Sequence, residues 1–447
     1  MNAHPDLAIA DIANKFDAMH WQVLDKAHLT AEDLTTVVRP LSAHQEIATT
    51  LLGHSYEGTP IIRYSLGSGP LTILAWTQMH GDEPTATAAV LDWLHILLNS
   101  EPVGLPKNWQ DLVTVHVIPM LNPDGAARKT RVNAQGIDIN RDAKALQSPE
   151  GRILDQQVKQ LAPDVAFNLH DQNPYYTAGT STNPATIAFL APAYHEDKHV
   201  NASRLRAKQL IAGMAGTLNY FIPNSIGRYD DTYSFRSFGD NIAASGASTI
   251  LIESGAAFDD PHRQLARKMN VIALQYGLLS LLTDTYRAYS LADYYRIPDN
   301  REDGLCDTKL SHITLGLNPS YHVDISINIS AKTGKSNITA IGDLRTVHGF
   351  SDIDGRGLTL ADIKPYVVTS PLQLDDLAYR KLLAQGVSYF VDANGLLTHT
   401  CQLPIRVETA PLPQVFMLPG ERAFFLLKND NGVQAAVLEG KWITLNP

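Results

Sequence analysis

Between Pro60 and Thr285 the chain alternates short apolar runs with amphipathic stretches, and no other feature restricts its fold as strongly. The apolar runs are Leu71–Thr77 (LTILAWT), Val113–Pro119 (VTVHVIP), Asp164–Leu169 (DVAFNL), Thr186–Leu190 (TIAFL) and Ser248–Ile252 (STILI). Each has the length and apolar content of a buried strand. Helical spacing fills the gaps, over Pro84–Leu98, Pro149–Leu161, Asp197–Thr217 and Pro261–Thr285. Asp82 is a candidate cap for the first of these helices, with Pro84 in its first turn. Strands that alternate with helices predict an α/β fold whose mixed, mostly parallel central sheet is flanked by helices.

The texture differs on either side. Residues 1–56 read as a helical N-terminal segment, with Thr30 as a cap and a break near Pro40. Beyond about residue 300 the runs alternate as β-strands do: Tyr321–Ile327, Val387–Val391, Leu403–Val407, Ala423–Leu427 and Val433–Leu438. Asp354-Gly355, Asn394-Gly395 and Asn431-Gly432 supply turn signals between them, and one helix is expected near Leu374–Ala384. The expected organisation is a helical segment over 1–56, a catalytic domain over 57–290 and a mainly β accessory domain over 300–447.

Composition narrows the chemistry. The chain of 447 residues carries a net charge of −10, which argues against a nucleic-acid binder. It holds 16 His but only 2 Cys, Cys306 and Cys401, so any metal must rest on His and carboxylates. No secretory leader is visible, and no run is long and apolar enough for a membrane span. The expectation is a cytoplasmic protein that engages neither membrane nor nucleic acid.

Four of the apolar runs lead into polar, chemically capable residues: His80-Gly-Asp-Glu83, Asn122-Pro-Asp-Gly125, His170-Asp171 and Glu253-Ser-Gly255. In open α/β sheets ligands bind outside the carboxyl ends of the strands, so these groups are candidates for one convergent site. If the turn after the first strand puts His80 and Glu83 on one side, they can share a zinc ion with His170. Three protein ligands leave a fourth position for water, the arrangement of a catalytic zinc. Glu253 follows a strongly apolar strand, where a carboxylate is costly to bury, and is the candidate general base. Arg128, Lys129, Arg131 and Arg141 fall within one short segment of an acidic chain. Arginine forks, with Asn140 as a neutral donor, suit a small anionic group such as a carboxylate.

In order and spacing these pieces resemble the zinc carboxypeptidase family (M14, the carboxypeptidase A-like metallopeptidases), in its compact bacterial-type branch. The resemblance covers about residues 60–285. It implies one Zn2+ per chain on His80, Glu83 and His170, with Glu253 as catalytic base and later acid. It implies an Arg before the Asn-Arg pair that polarises the scissile carbonyl. Arg131 is favoured for that role, and Arg128 remains the alternative. Asn140 and Arg141 would hold the substrate's terminal carboxylate. A substrate-capping Tyr is expected near Tyr229 or Tyr233, and no motif selects between them. The implied activity is hydrolysis of the C-terminal peptide bond of peptides. The alternative is a zinc amidohydrolase acting on N-acyl amino acids or cell-wall peptides, of the desuccinylase, aspartoacylase or muropeptide amidase kind. The substrate in either case carries a free carboxylate. A third reading, a binding protein on an inactivated scaffold, is disfavoured because no ligand position and no base is missing.

Overall fold

The computed structural model describes residues 5–101, 104–316, 320–412 and 417–445. It divides into two compact units, after Glu302.

The first unit is built on an α/β sheet. Its strands are β1 (Ile47–His54), β2 (Pro60–Leu66), β3 (Leu71–Trp76), β4 (Val113–Ile118), β5 (Val165–Asp171), β6 (Thr177–Ala178), β7 (Ile187–Leu190), β8 (Ile226–Arg228) and β9 (Ser248–Ser254). All but β6 join one sheet in the order β1-β2-β4-β3-β5-β9-β7-β8. The central four, β4-β3-β5-β9, run parallel, while β1, β2 and β7 introduce antiparallel pairs. The sheet is therefore mixed and mostly parallel.

The central strands are apolar on both faces because helices cover both. The helices are α1 (Pro5–Met19), α2 (Ala31–Ala43), α3 (Thr85–Asn99), α4 (Pro123–Arg128), α5 (Pro149–Leu161), α6 (Ala202–Leu218), α7 (Phe238–Ala244), α8 (Gln264–Thr283) and α9 (Leu291–Tyr295). One apolar core joins Ile73, Ala75 and Phe167 to Trp93 of α3, Leu210 of α6 and Leu274 of α8. The other joins Leu74 and Trp76 to Leu154 of α5 and Ile242 of α7. Each buried aliphatic side chain contributes about 1.5–3 kcal/mol to this packing.

The ends of the unit differ from the expectation. Within the segment expected to be helical, helix stops at Ala43, and residues 47–54 form the edge strand β1. Thr49 and Thr50 are β-branched, and the antiparallel ladder from Ile47↔Leu66 to His54↔Pro60 gives the strand its pairing. Thr30 does cap α2, through a capping box with Asp33. Ile12, Phe16 and Val37 lie in the same core as the sheet, so the N-terminal helices are part of this unit. At the other end, Tyr294 of α9 is buried, and β10 (Asn300–Arg301) pairs with β6.

The second unit is mainly β. Its strands are β11 (Leu305–Leu315), β12 (Tyr321–Ile329), β13 (Ser336–Gly342), β14 (His348–Asp354), β15 (Thr359–Leu360), β16 (Lys364–Val367), β17 (Leu372–Leu374), β18 (Val387–Val391), β19 (Leu397–His399), β20 (Val407–Glu408), β21 (Phe424–Asn429), β22 (Gly432–Leu438) and β23 (Lys441–Thr444). The main sheet follows the order β13-β12-β11-β15-β21-β22-β23, with β14 parallel to β11. The one helix among the described residues of this unit is α10 (Asp376–Ala384). The run expected as a strand over Leu403–Val407 reduces to β20, because Pro404 has no N–H to give a ladder. Cys306 and Cys401 are both free, and Cys306 is buried.

Candidate active site

The site is assembled by two loops that interlock at the carboxyl end of the sheet. After β3 the chain turns through Gln78, whose φ of 47° lies in the left-handed region. Its buried amide donates to Gly81 O and Leu29 O and accepts from Thr87 Oγ1, which braces the His80–Glu83 turn. Gly81 packs so closely on Gly125 that a Cβ there would lie 2.0 Å from the Gly125 carbonyl carbon, so only glycine fits. The Asn122–Gly125 loop holds this contact from its side. Asn122 caps α4, accepting from Gly125 N at 2.9 Å, and donates to Met79 O at 3.2 Å. Asp124 accepts from Ser55 Oγ and Glu57 N, which pins the β1–β2 turn. This second motif supports the first and touches none of its ligand atoms.

His80, Glu83 and His170 come together as expected from the spacing. They are 1%, 9% and 2% exposed. His80 Nδ1 lies 2.8 Å from Glu83 Oε1, His170 Nδ1 lies 2.7 Å from Glu83 Oε2, and the two Nδ1 atoms are 3.1 Å apart. One donor atom from each lies within 4.8 Å of the others, so the trio could hold a metal ion. Two imidazole nitrogens and one carboxylate are a donor set that zinc accepts. His80 Nε2 lies 3.1 Å from Asp138 Oδ1, a partner that would hold the proton on Nε2 and leave the Nδ1 lone pair for a metal.

The charges of the trio are tightly linked. Burial alone would raise Glu83, but the His80 and His170 rings hold its carboxyl far below the usual range. Burial depresses His170, whereas at His80 the Glu83 and Asp138 carboxylates outweigh burial and raise it. Asp138 itself is held well below the usual carboxylate range by His80 and Arg131, against the effect of burial.

Glu253 stands on β9 opposite His170 of β5 in the parallel register. The residue is partly exposed, but its Oε2 is enclosed and has no hydrogen-bond partner among the described residues. Burial, then the nearby Glu83 and Asp171 charges, push its carboxyl well above the ordinary value. A basic carboxylate with a free oxygen is the form of group that can accept a proton.

Of the basic segment, the structure brings one arginine to the trio. Arg131 donates from Nε to Asp138 Oδ2 at 3.0 Å and from Nη1 to Glu83 Oε1 at 3.3 Å. Arg128 instead pairs with Glu57 on the surface and donates to Asp124 O, so it is not part of the cluster. The left-handed turn at Lys129, with φ of 55°, separates the two directions. Asn140 is buried, with its amide N on Asp138 Oδ1 and its Oδ1 accepting from Phe238 N. Arg141 is exposed and donates back to Asn140 O. Tyr229 is half-buried, anchored through its N–H to Phe189 O, with its ring 6.0 Å from Tyr176. Burial, then the Glu253 charge, raise its phenol strongly.

Two neighbours, Asp138 and Arg263, were missed by the sequence reading, and Asp171 was named there without a role. Asp138 sits between two isoleucines, two residues before Asn140, and that isolation was the available signal. Asp171 follows His170 directly. Its Oδ2 accepts from Thr85 N and Oγ1, so this residue, and not Asp82, caps α3, and its N–H donates to Glu83 Oε2. Burial pushes its carboxyl up to about 6, with Arg263 opposing. Arg263 lies 3.9 Å from Asp171 Oδ2 and donates to Ser254 O at the end of β9. Nothing in the sequence marked Arg263.

Comparison with known proteins finds similarity to zinc carboxypeptidases. The model of the zinc carboxypeptidase family matches residues 38–196, which takes in His80, Glu83, Arg131, Asn140 and His170 and ends before Glu253. A carboxypeptidase of Arabidopsis thaliana, SOL1, is 25% identical over 215 residues, covering 40% of this chain. The match spans only 43% of that relative's length. Among solved structures, a metallo-carboxypeptidase from Burkholderia cenocepacia aligns with a TM-score of 0.45 and 17% identity, over 58% of this chain and 70% of its own. Carboxypeptidase A from Helicoverpa armigera aligns with a TM-score of 0.46 and 16% identity, over 62% of this chain and 80% of its own. No helix among the described residues is long and apolar enough to cross a membrane. Over residues 38–196 the chain is thus similar to the zinc carboxypeptidase family.

Proposed function

We propose that this chain is a zinc-dependent metallocarboxypeptidase that hydrolyses the C-terminal peptide bond of peptides. One observation carries the reading. His80, Glu83 and His170 converge at the strand ends, and Glu253, with its free oxygen, stands beside His170 in the register. When bound, zinc polarises a carbonyl and makes water a stronger acid. His80, Glu83 and His170 would hold it, one ion per chain.

The chain's own residues supply the rest. Glu253 takes the proton from the attacking water, whose oxygen bonds to the scissile carbonyl carbon. As the C–N bond breaks, Glu253 passes that proton to the departing amine. Its raised basicity suits both transfers. Arg131 donates to the oxygen on which negative charge develops, and Asp138 and Glu83 fix its guanidinium for that task. Asn140 and Arg141 receive the substrate's terminal carboxylate. Tyr229 closes over the substrate, a role supported by its proximity to Glu253.

The test is a mass-spectrometric screen of peptides, the same peptides with C-terminal amides, N-acyl amino acids and muropeptides. The proposal requires stepwise loss of C-terminal residues from free peptides and none from the amides. Cleavage confined to N-acyl amino acids or muropeptides would refute it.

A further inference from the structure

We propose that His195, Asp197 and His199 form a second metal site, on the segment between β7 and α6, that takes a divalent transition-metal ion such as Zn2+. It shares no residue with the His80, Glu83 and His170 cluster and does not depend on the function proposed above. The three residues each offer one ligand atom, all within 4.8 Å of one another. His195 Nδ1 lies 3.2 Å and His199 Nε2 lies 3.9 Å from Asp197 Oδ2. Zinc bonds of about 2.0–2.2 Å in a tetrahedral site put neighbouring ligand atoms about 3.3–3.6 Å apart. The observed spacings bracket that range, so small side-chain rotations complete the site.

The backbone explains why alternate residues face one another. Lys198 has φ of 55°, in the left-handed region, and its N–H closes a turn onto His195 O. The chain doubles back there, and the two imidazole planes lie parallel within 1°, their centroids 5.7 Å apart. The segment is braced from beneath. Arg204, almost wholly buried, donates from Nη1 to Lys198 O and His199 O and from Nε and Nη2 to Ala191 O. Its Nη2 also holds Asp231, which Lys198 Nζ meets at 2.9 Å. An ion binding here does not have to order the chain first, which lowers the entropy cost of binding. The amide of Asp197 lies 3.2 Å from His195 Nδ1, and an ion would displace that long contact. Two imidazoles with one carboxylate favour zinc, copper or nickel over calcium or magnesium, whose sites are built from oxygen. All three residues are exposed, so water fills the remaining positions and the ion exchanges freely.

The test uses Zn2+ alone. Purified full-length protein is equilibrated by dialysis against buffered zinc, and bound metal is counted in the wild type, His195→Ala/His199→Ala and Asp197→Asn. The proposal expects the double variant to bind one equivalent fewer than the wild type, and Asp197→Asn to bind the second equivalent more weakly. This difference is read whatever the first cluster holds. Thermal unfolding in chelator should be the same for all three, since the positions are at the surface. Equal stoichiometry in the wild type and the double variant would overturn the proposal, as would a wild type that binds no more than one equivalent while the first cluster is filled.

Discussion

Replacing Asp138 by alanine tests how the site is held in shape. One carboxylate oxygen faces His80 Nε2 at 3.1 Å and also accepts from Asn140 N at 2.9 Å, while the other accepts from Arg131 Nε at 3.0 Å. Three contacts are lost together, and each belongs to a different task. Loss of the partner on a ligating imidazole frees the ring to adopt the wrong tautomer, which costs 10–100-fold in metal affinity. That range corresponds to about 1.4–2.7 kcal/mol. Asp138→Asn keeps a neutral acceptor for one partner but points an amide N–H₂ at the other, so its loss should be smaller. The assay is zinc competition against a chromophoric chelator, followed by steady-state kinetics with zinc saturating. Affinity should fall in the order wild type, Asp138→Asn, Asp138→Ala. With zinc restored, Asp138→Ala should still show a reduced kcat, because Arg131 has lost its anchor. Unchanged zinc affinity in Asp138→Ala would refute the reasoning, since it would mean that His80 is oriented without its partner.

Other outcomes follow from the same geometry. Arg131→Ala should lower kcat for peptide hydrolysis by about 10²–10³-fold, as loss of an oxyanion donor does, whereas Arg128→Ala should leave it near the wild-type value, and steady-state kinetics on one peptide separate the two. Arg267 and Asp92 form a fully buried pair at 2.6 and 2.8 Å, with Trp21 N also on Asp92. Arg267→Met strands that carboxylate and should cost about 3–5 kcal/mol in urea denaturation, and Asp92→Leu with Arg267→Met should recover much of it. His116 is buried in β4, and burial followed by the Arg63 charge pulls its pKa down to about 4. The unfolded chain then takes up the proton first as pH falls. The stability is fully present above pH ~6.5, and about 3 kcal/mol of it is lost between pH ~6.5 and ~4. His116→Gln should flatten that part of the stability profile relative to the wild type.

The central strands were legible because burial on both faces writes a continuous apolar run, as in LTILAW of β3 or STILI of β9. Strand β1 was not, since IATTLLGH is largely exposed and gains its conformation by pairing with β2. Helix α7 is short and contains Gly239, and what starts it is the Ser237 cap, a feature too local to stand out from a loop. The cluster of His80, Glu83 and His170 was legible because each residue ends an apolar strand or lies in the turn that follows one. Its supports were less so, because Asp138 reaches His80, and Arg263 reaches Asp171, from distant segments. That Arg131 and not Arg128 reaches the cluster depends on the left-handed turn at Lys129, which the sequence does not display. His195 and His199 looked ordinary in the sequence, and only the turn at Lys198 sets their rings face to face.

The most direct measurement is the turnover of Glu253→Gln with its zinc content determined on the same sample. Glutamine keeps the shape of the side chain but cannot take up a proton. The account predicts one zinc at the His80, Glu83 and His170 site and a fall in kcat of about 10²–10⁴-fold, the usual contribution of a general base. A zinc-loaded Glu253→Gln protein that removes C-terminal residues at the wild-type rate would contradict it.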